Sequence, residues 1–175
     1  MYVLPGDTAA RLGGPLTRDE FESIKSLSRI ELERAFSGLR IDFGDRQDGF
    51  WRIEVVPRLQ PWDGLTRSRA LPTAGRSLAL GLLGGRGSVS FEMVASSAIQ
   101  HARVEASRQE MLEGIGRGIG RTAAHEFAHQ ILGPGMIDGD DENTYEYANA
   151  SSRSWYYGDL RWGAVWPRLT KSIGR

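Results

Sequence analysis

The pentapeptide His125-Glu126-Phe127-Ala128-His129 constrains this chain more than any other stretch. A helix turns about 100° and rises about 1.5 Å per residue, so residues four apart share a face, one turn apart. As a helix, the segment presents both imidazoles to one point, where they can grip a single metal ion. Glu126, beside the first histidine, can then reach a water held there without being a ligand itself. The flanks agree. Ala123, Phe127 and Ile131 recur at every fourth position, and so do Ala124, Ala128 and Leu132, which gives a broad apolar side with the histidines at its edge. Gly133-Pro134 then stops the helix, because Gly suits a left-handed cap and Pro cannot continue the turn. The plainer alternative is a pair of polar residues at a core edge with Glu126 solvated. It carries less weight, since the chain has 3 His and two of them fall in phase within this motif. His101, after a predicted strand, reads as a structural or surface residue.

The rest of the composition limits what such a site can be. At 175 residues the chain is expected to form one domain, 1–175, with a sizeable core. Formal net charge is +0, so no overall field recruits nucleic acid or an anionic membrane, and neither is expected as a partner. Cys is absent, which excludes disulfides and thiolate-ligated metal. Any zinc must be held by His and carboxylates, the donor set of catalytic more than structural sites. No run has the length of a transmembrane helix, and Met1 to Gly14 lacks the charged-then-apolar order of a secretory signal. The expected location is therefore the cytoplasm, or outside the cell by a non-classical or secretion-system route, or within a larger polypeptide.

Along the chain, residues 1–16 read as an irregular lead-in. Thr17 and Glu20 form a capping-box pattern, and apolar residues from Phe21 to Phe36 predict a helix over about 18–37, closed by Gly38. Leu39–Phe43 alternates as a strand, Gly44–Gly49 is a polar turn, and Phe50–Val56 is a second strand. Residues 57–75 read as a long loop. Ser77–Leu83 and Ser88–Val94 flank Gly84-Gly85-Arg86-Gly87 and predict a hairpin. Val104–Leu112 looks helical. Gly114, Gly116, Gly118 and Gly120 follow, just before the motif helix, and serve close backbone packing or flexibility. Their match to a dinucleotide fingerprint lacks the preceding strand that such a site requires. After the motif, Asp138, Asp140, Asp141 and Glu142 lie in a loop that is either a solvated turn or the source of a third metal ligand. Residues 143–157 look helical, and the aromatics there and at Trp162 and Trp166 read as core.

A catalytic zinc site needs three protein ligands and an open position for water. Glu126 is the candidate to take the proton of that water and pass it to the leaving group. Arg or Tyr hydroxyls would stabilise the oxyanion, with Tyr145, Tyr156 and Tyr157 as candidates.

His125-Glu126-Phe127-Ala128-His129, followed by a glycine turn and an acidic loop, resembles the zincin metallopeptidases and in particular the metzincin arrangement. The specific likeness covers about twenty residues, 122–141, and departs from the metzincin pattern where Leu132 and Gly135 stand for its glycine and third histidine. By that resemblance, His125, His129 and a carboxylate would bind Zn2+. Asp138 is favoured as the first carboxylate after the reversal, behind an apolar Met136-Ile137 that can anchor the loop. Asp140, Asp141 and, in the gluzincin style, Glu146 stay open as alternatives. The implied fold is α+β and zincin-like, with a small mixed or antiparallel sheet over the active helix and further helices on both sides. The 77–94 hairpin would hold an extended peptide by strand addition. The implied activity is zinc-dependent hydrolysis of peptide bonds in a protein or peptide substrate. The tail, with Tyr145-Glu146-Tyr147 and Trp162 to Pro167, is similar to small bacterial effector or toxin domains, for which an inhibitor or immunity protein would be a further partner. The alternatives are a zinc hydrolase acting on a non-peptide amide or ester, and a degenerate zincin that binds protein without cleaving it. The intact Glu126 argues against the last.

Overall fold

The structure, a computed structural model, describes residues 4–45, 49–59, 74–79, 84–133 and 137–174. Its centre is the helix that carries the motif, α4 (Arg108–Leu132), 25 residues long and buried over most of its length. Ser107 starts it with a capping box: its hydroxyl accepts from the Glu110 amide at 3.1 Å, and the Glu110 carboxylate accepts from the Ser107 amide at 2.9 Å. Two orphan donors of the first turn are thereby satisfied. At the far end Gly133 takes a φ of 92°, a left-handed value that ends the helix.

The other elements wrap around α4. In chain order they are α1 (Gly6–Leu12), α2 (Arg18–Ala35), β1 (Trp51–Val56), β2 (Gly75–Ala79), β3 (Gly85–Ser90) and α3 (Phe91–His101) before it, with α5 (Arg153–Tyr157) and α6 (Trp166–Ile173) after it. The described residues thus form an α+β structure of six helices and a three-stranded mixed sheet. The strand order is β1-β3-β2, with β3 parallel to β1 and antiparallel to β2. One face of the sheet, carrying Ile53, Gly87, Val89, Gly75 and Ser77, turns towards α4, and its glycines let the sheet approach closely. α2 also lies along α4.

Phe127 anchors the motif to this frame. Its ring meets Phe36 edge-on at 5.4 Å, Phe43 at 5.6 Å and Trp51 at 6.3 Å. Burying such a side chain contributes roughly 1.5–3 kcal/mol, so the face of α4 opposite the histidines is well fixed.

Several expectations are corrected. The lead-in contains α1, started at Pro5 and closed by Gly13 at φ 82°. Leu39–Phe43 is not a strand. Leu39 is buried and Phe43 joins the Phe36 and Phe127 rings, so the alternation reflects packing without a ladder partner. The hairpin strands do pair antiparallel, but Gly85–Gly87 belong to β3, and the second strand ends at Ser90, whose hydroxyl caps α3. Consequently His101 closes a helix. The segment Val104–Leu112 and the glycine run are not separate from the motif helix, because α4 runs through both. Of 143–157 only Arg153–Tyr157 is helical, since residues around Thr144 and Tyr145 pair with Arg161. Residues 46–48 of the predicted turn, 60–73 of the predicted loop, 80–83 of the hairpin and 134–136 lie outside the described residues. Among the described residues no helix is long and apolar enough to cross a membrane.

Candidate functional site

The last turns of α4 bring His125 and His129 together as their spacing requires. Their Nε2 atoms lie 3.2 Å apart, and the rings are nearly perpendicular, at 80°. Asp138, in the described segment that begins at Ile137, comes to the same point. Its Oδ1 is 3.4 Å from His125 Nε2 and 3.2 Å from His129 Nε2. Ile137, buried at 2% exposure, pins that segment directly before Asp138. The three residues form a group that can hold a metal ion.

The dimensions suit three ligands of one metal ion. A tetrahedral ion bonded at roughly 2.0–2.1 Å holds its ligand atoms about 3.3–3.4 Å apart. The triangle observed has edges of 3.4, 3.2 and 3.2 Å. The group is accessible from the Asp138 side. That side chain is 47% exposed, against 11% for His125 and 17% for His129.

Hydrogen bonding sets the ring of His125. Its Nδ1 lies 2.9 Å from the carbonyl oxygen of Tyr145. A carbonyl can only accept, so Nδ1 carries the proton, and the neutral ring turns the Nε2 lone pair towards the triangle. Burial pulls the His125 pKa down, but Asp138, the Tyr145 carbonyl and Glu126 outweigh it, and the net direction is up. His129 moves down through burial and the neighbouring His125 charge. Asp138 is held below the usual carboxylate range by its hydrogen bond with His125, against a smaller opposing effect of burial. A cation entering this group competes with that shared proton, because imidazole binds metal only when neutral.

Glu126 is buried beside the triangle. Burial pushes its carboxyl pKa up, while His125 and the Ser77 hydroxyl draw it back. The Ser77 hydroxyl, on β2, donates to the Glu126 carbonyl at 2.7 Å. Gly75, on the same strand, presses against this side chain. A Cβ there would lie 2.7 Å from Glu126 Cγ and 2.8 Å from Thr122 Cγ2, so no larger residue fits without displacing the carboxylate.

The remaining candidates sit elsewhere. Asp141 Oδ1 accepts from the Asn143 amide at 3.0 Å and shapes a turn. Asp140 and Glu142 do not enter the group. Glu146 is buried and accepts from the amides of Gly163 and Val165 at 2.7 and 2.9 Å. The three tyrosine hydroxyls proposed for the oxyanion donate to other acceptors: Tyr145 to Glu31 at 3.0 Å, Tyr156 to the Ala150 carbonyl at 2.5 Å and Tyr157 to the Ala98 carbonyl at 2.8 Å. His101 bonds the Ser97 carbonyl at 2.9 Å and stacks on Tyr156, in a structural role. The Tyr145 carbonyl, Ser77 and Gly75 were not anticipated. A carbonyl facing a histidine leaves no trace in sequence, whereas Ser107 and Glu110 repeat the capping pattern of Thr17 and Glu20 and were readable.

Comparison of the chain with protein families, curated proteins and solved structures returns no match.

Proposed function

We propose that this chain is a zinc-dependent metallopeptidase of zincin type, with His125, His129 and Asp138 as ligands and Glu126 as general base and then general acid. The observation that carries this reading is the ligand triangle of tetrahedral dimensions next to a buried carboxylate. Bound zinc would polarise the scissile carbonyl and bring the pKa of a water towards neutrality. Glu126 takes a proton from the attacking water and delivers it to the leaving amine. The Tyr145 carbonyl keeps His125 in the tautomer that binds metal. Among the described residues β2 pairs with β3, and it reaches Glu126 through Gly75 and Ser77, which supports binding of an extended peptide beside it.

Glu126→Gln tests the chemistry. It is expected to keep zinc and to lose cleavage of a peptide library by about 10²–10⁴-fold. Undiminished cleavage removes Glu126 from the mechanism. Zinc uptake by the wild type without hydrolysis of peptides, amides or esters returns the chain to a binding role.

A further inference from the structure

Two of the three ligands are held by neighbouring residues of one short segment. His125 Nδ1 donates to the Tyr145 carbonyl at 2.9 Å, and the Gly139 amide, next to Asp138, donates to the Glu146 carbonyl at 2.7 Å. That segment is itself tied deep into the core. The Tyr145 phenol donates to Glu31 Oε1 at 3.0 Å, and the Tyr145 amide donates to the Arg161 carbonyl at 3.0 Å. Glu31 Oε1 also accepts from Arg121 Nε at 2.9 Å. Arg121 is fully buried and spends three further donors on the carbonyls of Ser154, Trp155 and Gly158, at 3.1, 2.8 and 2.9 Å. The Trp162 ring packs on Tyr145 at 5.1 Å.

We propose that Tyr145 is a positioning residue for the metal site: its phenol, anchored on the Arg121-paired Glu31, holds its own carbonyl against His125. The inference rests on the metal reading above and extends it to a residue more than a turn of chain away from any ligand. Three features support it. Glu31 projects from α2, so the anchor fixes Tyr145 relative to a helix that lies along α4 rather than to the loop alone. The phenol is buried and its oxygen already has an acceptor, so it is not available to substrate. The carboxylate it meets is part of a closed network whose charges are compensated, and such a network has little freedom to shift. A carbonyl that fixes a ligand's tautomer and orientation typically influences metal affinity by about 10–100-fold.

The test compares wild type with Tyr145→Phe, which removes one oxygen and keeps the ring. Zinc affinity is measured by competition with a chromophoric chelator, and the visible spectrum of the cobalt(II)-substituted protein is recorded as a report on ligand geometry. Folding is followed by circular dichroism. The expected result is a folded variant with zinc bound about ten-fold more weakly, at the lower end of the effect for outer partners, and a shifted cobalt spectrum. A purely structural hydroxyl would lower the melting temperature and leave both metal readouts unchanged, which overturns the inference alone. A variant that no longer folds also overturns it, by making the anchor a requirement of the fold rather than of the site. A folded wild type that takes up neither metal overturns the zinc reading and this inference with it.

Discussion

At Gly114, Gly116, Gly118 and Gly120 α4 offers its neighbours bare backbone; at Arg121, His125, Glu126 and Gln130 it offers them polar side chains. In the first stretch a Cβ at Gly116 would lie 2.6 Å from Leu27 Cβ, and one at Gly120 would overlap the Ser28 carbonyl oxygen, so α2 packs almost directly on the helix. On the other side Gly114 and Gly118 receive Tyr157 and Tyr156. Four glycines forgo roughly 3–4 kcal/mol of helix propensity relative to alanine, which close packing must offset. In the second stretch the buried face carries Arg121, His125, Glu126 and Gln130, groups that are costly to bury unless paired. The same helix is therefore a packing surface in one half and a scaffold for polar chemistry in the other.

Three variants would break or sharpen that contrast. Arg121→Ala should have the largest effect on stability. It leaves the buried Glu31 with only the half-exposed Arg34, at 4.0 Å, as a cation, and denaturant unfolding is expected to show a loss of about 3–5 kcal/mol. A loss under 1 kcal/mol would mean that the buried pair is dispensable. Gly120→Ala should come next, at about 1–3 kcal/mol, because α2 must move away from the added methyl group. Its folded fraction should keep wild-type zinc affinity; a parallel fall in affinity would show that the two halves are not separable. The smallest effect concerns the helix starts. Arg108 at the head of α4 bonds Glu20 in the first turn of α2, and this contact, followed by the Thr17 amide, lowers the Glu20 pKa to about 2. A depressed carboxylate stabilises the fold above its unfolded value of about 4.3, and that contribution is lost as pH falls from there through about 2. Because the pair is largely solvated, Glu20→Gln should flatten the acid limb of a stability–pH curve only slightly. An acid limb that steepens in Glu20→Gln would reverse the sign of this assignment.

The same division governs what was legible in the sequence. The histidine spacing, the apolar side of the motif, its stop at Gly133 and the helix capped by Thr17 were readable, because each depends on near neighbours in the chain. The beginning of α4 was not. Gly114–Gly120 reads locally as an approach to the motif helix, for close packing or flexibility; the close packing is there, on Leu27, Ser28, Tyr156 and Tyr157, but inside the helix itself. Asp138 was singled out for its place after the reversal, and the loop does bring it to the histidines, whereas the aromatic spacing of 143–157 suggested a helix that the pairing of Tyr145 with Arg161 overrides. Leu39–Phe43 alternates, but its inward residues meet an aromatic cluster instead of a neighbouring strand. The carbonyl of Tyr145, which orients His125, depends on chain reversal over twenty residues and has no local signature.

The central claim is that His125, His129 and Asp138 together hold zinc. Elemental analysis of the folded protein after dialysis against buffered micromolar zinc tests it most directly. Stoichiometric zinc in the wild type, lost in Asp138→Ala with an unchanged circular dichroism spectrum, is the predicted result. A folded wild type without zinc, or an Asp138→Ala variant that retains it, would contradict the account.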